Sequence, residues 1–308
     1  MGRMEDIDER LKSRMDAMNN RLADRMAALD ARRGGSKRVG AEFPAGSPEA
    51  WLQPGFDDVK TLFDYIRRSY VVTDNPKYRD ALDKVDLLYL TDPENPDSNS
   101  VNAWAHDRGR KITLCAGFVR QARIAGSALA ATNGIEVFRR LREVVDDNPG
   151  WADSITIDEA KELFTAVGLR YDAVIADESV RQESVDRSSA AILACLAHEA
   201  GHIALAHVNA NVDYYQVNRE VARNEERQAD SFMSSVIATV PFGGHMFEAE
   251  LYNDYLNAVA ERSAAKRSGR KVSDRGSTHP LSIERYNNLL KDHPDLAEKY
   301  GFVPLSLA

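Results

Sequence analysis

The apolar positions of this chain follow helical spacing over most of its length, and only short runs break the pattern. Between Glu5 and Arg33 there is neither Pro nor Gly, and Leu11, Met15, Met18, Leu22 and Leu29 recur at alternating steps of four and three. Arg25 occupies the slot where the next apolar residue is due. That period predicts a short coiled-coil or amphipathic helix over residues 1–33, able to self-associate weakly through residues 5–30. Residues 34–55 are rich in Gly and Pro and read as a linker, so the folded body is expected to begin near Phe56. From there helical patterns cover Phe56–Arg68, Phe118–Ala131, Ile135–Val145, Ile157–Val167, Asn218–Val240, Glu248–Ala265 and a closing segment, Leu281–Asp292. A longer one starts near Ser188 or Ser189 and runs through His207. "VDLLYL" (Val85–Leu90) and "KITLCAG" (Lys111–Gly117) read as buried strands, with "NAWAHDRGR" as a polar connection between them. Many helices and a small sheet give an α+β fold class.

Composition narrows the classes. The chain has 308 residues, 40 Lys/Arg, 48 Asp/Glu and a net charge of −8. Residues 1–38 carry ten Lys/Arg against seven Asp/Glu, which leaves 30 against 41 in the remainder. An acidic body argues against a phosphate backbone as its main partner, so no nucleic acid is expected. No apolar stretch reaches the ~18 residues of a membrane span, and the charged N-terminus has no signal-type apolar run. The two cysteines, Cys115 and Cys195, are too few for a disulfide framework. These readings together point to a cytoplasmic protein.

One apolar stretch carries an anomaly. "LAHEAGHIAL" (Leu196–Leu205) places His198, Glu199 and His202 within five residues of a helix that otherwise reads as buried. His198 and His202 are one turn apart on one face, so both imidazoles can reach one metal ion. Glu199 lies slightly round the helix, where it can touch a metal-bound water without ligating the metal. Gly201 costs helix stability, roughly 1 kcal/mol against Ala, and permits close approach of another backbone or of a substrate. A catalytic zinc needs a third protein ligand. "NEERQADSF" offers Glu226, with Asp230 one turn on to hold a ligand histidine by its second nitrogen. Alone, that segment reads better as a solvated face of alternating charge; paired with the histidine motif, the preference reverses.

"HEAGHIALAH" (His198–His207) with "ERQAD" (Glu226–Asp230) resembles the membrane-associated zinc endopeptidases that include HtpX and the CAAX prenyl proteases. "NAWAHDRGRKITLCAGF" (Asn102–Phe118) and "STHPLSIER" (Ser277–Arg285) are similar to two further stretches of that family, in the same order. The resemblance covers Asn102–Arg285, with gaps. It implies a zincin-like metallopeptidase core over residues 56–308, Zn2+ held by His198, His202 and Glu226, and Glu199 as general base. His279 becomes the candidate stabiliser of the oxyanion, with Arg285 either orienting it or binding substrate. Asn102 and Ala103 would present backbone to an extended protein or peptide substrate. His207 sits at a position often histidine in the family, and equally fits a helix-end cap. Soluble bacterial relatives of this kind include phage-exclusion peptidases of the Lit type. Two departures stand out: the absence of membrane helices, and a helical insertion at 118–188. The competing class is a catalytically silent zinc-binding interaction module that oligomerises through its N-terminal helix.

Overall fold

The computed structural model describes residues 39–40, 43–44, 46–92, 94–106, 110–131, 154–207, 219–240, 243–267 and 280–306, with single positions between 140 and 151. The expected N-terminal helix, most of the Ile135–Val145 helix, the loop before Pro280 and His279 lie outside the described residues. The rest is mostly helical around one small sheet, the α+β class expected.

The order is β1 (Val39–Gly40), α1 (Pro48–Leu52), α2 (Phe56–Arg68), α3 (Tyr70–Thr73), α4 (Pro76–Leu82), β2 (Asp86–Thr91), a 3-10 turn (Pro96–Asn99), β3 (Ala103–His106) and β4 (Lys111–Cys115). Then come α5 (Ala116–Ala131), α6 (Ile157–Ala166), α7 (Tyr171–Ala176), α8 (Glu178–Ala204), α9 (Arg219–Ile237), α10 (Gly243–Arg267), α11 (Ser282–Asp292) and α12 (Pro294–Tyr300). The sheet runs β1-β2-β4-β3. β2 and β4 are parallel, with Leu87 opposite Ile112 and Tyr89 opposite Leu114. β3 is antiparallel to β4 and forms one edge.

Alternation decides which face meets the helices. Leu87, Tyr89, Ala103, Ile112 and Leu114 are buried in the main core, on the face where period-two side chains converge. The centre of that core is α8, whose Ile192, Leu193, Leu196, Ala197, Ala200 and Ile203 are all buried. A helix buried around most of its girth packs on several sides, and α8 touches α2, α5, α9, α10 and β3. A second cluster of Leu52, Ile124, Leu163 and Phe164 joins α1, α5 and α6.

Four expectations are corrected. The stretch taken as linker holds α1, capped by the Ser47 hydroxyl accepting from Ala50 N–H at 3.1 Å, with Leu52 only 2% exposed. The compact unit begins at Arg38. Its Gly and Pro content hid a Ser-Pro pair, which is a helix-start signal. α8 begins ten residues before Ser188, capped by Asp177 Oδ1 at 2.9 Å from Ser179 N–H. Its first turns are polar, yet Ser184 and Ser188 are buried where α5 crosses: a Cβ on Gly126 would stand 2.8 Å from the Ser188 nitrogen. Small residues here let two backbones meet. "NAWAHDRGR" contains a strand, β3, rather than only a connection. Finally, α12 follows the helix expected to close the chain.

Candidate metal centre

His198 and His202 project from the last turns of α8 toward α9. Their Nε2 atoms are 3.2 Å apart. Glu226 of α9 closes the group, its Oε2 3.2 Å from His198 Nε2 and its Oε1 3.5 Å from His202 Nε2. The three side chains are 13%, 16% and 15% exposed, which is enclosed but reachable. Among the described residues this is the group of His, Cys, Asp and Glu atoms close enough to share one metal ion.

The spacing is meaningful because ligands ~2.0–2.1 Å from a tetrahedral zinc stand about 3.3 Å from one another. What brings Glu226 so near is the helix crossing. A Cβ on Gly201 would lie 3.1 Å from both the Cα and the carbonyl oxygen of Ala229, and Ala229 is itself fully buried. The backbone approach that Gly201 suggested is therefore that of α9. One turn of α9 then carries Glu226 and Asp230 past the two histidines.

Asp230 acts where the sequence placed it. Its Oδ1 is 2.8 Å from His198 Nδ1, so Nδ1 carries the hydrogen and Nε2 turns its lone pair toward Glu226 and His202. Burial alone would lower the His198 pKa, but Asp230 and Glu226 outweigh it and hold it well above the ordinary imidazole range. His202 goes the other way, pushed down to about 4 by burial and then by His198.

Arg285 sits beside the candidate ligand group rather than in it. It lies partly buried behind Asp230, donating from Nε to Oδ2 at 2.9 Å and from Nη2 to Oδ1 at 2.8 Å. Its Nη2 also reaches Glu250 Oε1 at 3.1 Å, and Nη1 lies 3.5 Å from Asp254 Oδ1. One guanidinium therefore faces three carboxylates. Desolvation works against an ionised Asp230, but Arg285 and His198 keep it well below the usual carboxylate range. Burial pushes Glu250 and Asp254 up, only partly offset by Arg285. Glu250 and Asp254, one turn apart on α10, went unnoticed in the sequence because nothing near them signals a partner on α11.

Glu199 is separate from the ligand group. Its Oε2 accepts the Ala105 N–H at 2.7 Å, which joins the zinc-motif helix to edge strand β3. Ala103 N–H is taken by the Asn102 side-chain oxygen at 2.9 Å. Asn102 and Ala103 stand at the start of the edge strand beside α8, where side chains take the N–H groups of both Ala103 and Ala105. Burial raises the Cys195 thiol well above its ordinary value, so it stays protonated and outside the donor set. Beyond the ligands, His207 places its Nδ1 3.2 Å from His202 Nδ1, an interaction no spacing rule foretold. No helix among the described residues is long and apolar enough to cross a membrane. Compared with protein-family models, with curated proteins and with solved structures, the chain gives no match.

Proposed function

We propose that the chain is a zinc-dependent endopeptidase acting on a protein substrate, with His198, His202 and Glu226 as ligands and Glu199 as general base. The observation that carries the reading is the convergence of two imidazole nitrogens and a carboxylate at 3.2–3.5 Å, at tetrahedral-zinc spacing, with a second carboxylate held just outside. A zinc ion there supplies Lewis acidity, polarising a carbonyl oxygen and acidifying water. The ligand set itself would also suit other divalent transition ions.

Glu199 takes the proton of the attacking water as its oxygen bonds to the peptide carbonyl carbon. It returns that proton to the amide nitrogen as the C–N bond breaks, leaving a carboxylate and an amine. Its tie to Ala105 N–H sets the base beside β3, along which an extended peptide would pair. The resemblance to zinc endopeptidases in four ordered stretches supports the same chemistry. It also assigns oxyanion stabilisation to His279. Residues 5–30 would add weak self-association. A silent zinc module needs only the ligands, and a base carboxylate positioned apart from them favours hydrolysis.

The test compares bound metal and cleavage of an unfolded protein in wild type, His202→Ala and Glu199→Gln. About one zinc per chain is expected in wild type and in Glu199→Gln, and none in His202→Ala. Cleavage should fall by ~10²–10⁴ in Glu199→Gln. Wild-type chain that takes up no zinc, or a Glu199→Gln variant that cleaves normally, would sink the proposal.

A further inference from the structure

His207 does more than end a helix. It is only 7% exposed, it lies three residues past the end of α8, and it is delivered there by an unusual turn. Ala206 adopts φ +63°, a left-handed conformation that non-glycine residues rarely hold and that costs on the order of 1 kcal/mol. Strain of this kind persists where the placement of a neighbour matters. Here the turn brings the His207 ring back against His202, centroids 5.3 Å apart and nearly perpendicular.

The hydrogen-bond roles can be worked through atom by atom. Gln228 presents Oε1 to His207 Nε2 at 3.2 Å. A carbonyl oxygen only accepts, so His207 Nε2 carries the hydrogen. In the neutral ring Nδ1 is then a bare lone pair. The His207 Nδ1 to His202 Nδ1 contact at 3.2 Å is a hydrogen bond only if one of the two nitrogens is protonated, and that must be His202 Nδ1. His202 Nε2 is left as a lone pair facing His198 Nε2 and Glu226.

From this geometry we infer that His207 is a positioning residue, which fixes His202 in the Nδ1–H tautomer and so prepares its Nε2 as a metal ligand. Asp230 does the same for His198 through a carboxylate. The two ligand histidines are thus oriented by different chemistry, one by a carboxylate and one by an imidazole. Gln228 is exposed at the outer end of the relay, where water can replace it, whereas nothing of similar size replaces a buried imidazole. The inference rests on the metal reading above, but the tautomer exists without the metal and can be read without it.

Two measurements on the full chain decide it. Long-range proton–nitrogen NMR of the histidine rings in metal-free protein should show His202 protonated on Nδ1 in wild type. In His207→Phe, which keeps a ring in the space, the signal should move to Nε2. Zinc affinity, taken by competition with a chromophoric chelator, should fall ~10–100-fold in His207→Phe and only a few-fold in Gln228→Leu. With His202→Ala in the background, His207→Phe should change zinc affinity no further. A wild-type His202 protonated on Nε2, or a His207→Phe chain that binds zinc as tightly as wild type, overturns the assignment. If wild type binds no zinc yet shows the Nδ1–H tautomer, the metal reading fails and the relay stands.

Discussion

Two buried polar clusters sit on α8, about ten residues apart, and they balance their hydrogen bonds in opposite ways. Toward its start, α8 meets α5 and a pair of buried arginines. Arg120 is 1% exposed and gives Nη1 to Asn99 Oδ1 and to the Ile155 carbonyl, each at 2.8 Å, and Nε and Nη2 to Gln53 Oε1. Arg123 gives Nη1 to Ser188 Oγ at 2.8 Å and lies over the Trp51 ring at 5.2 Å. Donors there meet acceptors, and three segments distant in sequence are tied together. Toward the end of α8, two imidazole lone pairs and a carboxylate converge on one point, acceptor against acceptor. The first cluster finds its partners within the chain, Arg123 Nε excepted. The second needs something positive, a proton or a metal, and that deficit supports the proposed metal site better than burial or charge would.

The comparison breaks most sharply at Arg120. Arg120→Met should cost about 3–5 kcal/mol of stability, because Gln53, Asn99 and the Ile155 carbonyl lose their shared donor inside the core. Zinc affinity of the folded fraction should be unchanged. Urea unfolding and chelator competition on the same samples measure both. A variant that keeps its stability would mean the arginine cluster is no lock.

How much of this contrast could be read beforehand follows from how far apart the partners lie. His198, Glu199, His202, Glu226 and Asp230 were legible because each pair sits within a turn on one helix and metal chemistry restricts the spacing. The role of Gly201 was legible too, since a glycine inside a buried helix has few other uses. β3 was missed because four residues show too little alternation against a flanking charge run. The start of α8 was missed because Ser184 and Ser188 look polar, although in a crossing of two backbones their size is what counts. The partners of Arg285 were invisible: Asp230, Glu250 and Asp254 lie 55, 35 and 31 positions before it in the chain, and no local period links them.

Titration separates the clusters next. The raised His198 contributes stability in full below about pH 6.5 and loses it as pH climbs through its folded-state value. The lowered His202 works in reverse. Between about 6.5 and 4 the unfolded chain binds a proton that the folded chain refuses, so stability falls as pH falls there. Metal-free protein should therefore be most stable near pH 6.5, losing up to ~1.4 kcal/mol per pH unit from either group. Zinc-loaded protein, with both rings neutral, should instead grow more stable as pH rises through about 6.5 and level off above it. Denaturant unfolding across pH, with and without zinc, checks the crossing. The arginine cluster contains no imidazole or carboxylate and should contribute nothing to either slope. Identical pH profiles with and without zinc would end the distinction.

The smallest expected effect is at Gly201. Gly201→Ala gains roughly 1 kcal/mol of helix propensity, and loses a similar amount where the new methyl meets the Ala229 backbone at 3.1 Å. Net stability should hold within about 1 kcal/mol, while α9 shifts outward and zinc affinity drops several-fold. Calorimetry and the chelator assay together would show this, and an unchanged affinity would mean α9 absorbs the methyl without moving Glu226.

That crossing also bears on which ion the chain can choose. The gap between α8 and α9 is set by side chains left out, a hydrogen at 201 and a methyl at 229, so the donor atoms are spaced before any ion arrives. An ion that wants six to eight oxygens, as calcium does, finds two nitrogens and one carboxylate, the wrong donors and too few of them. A small ion content with four ligands finds three in place. On the metal reading proposed above, the spacing of the three donors would be set by two residues that lie outside the ligand group.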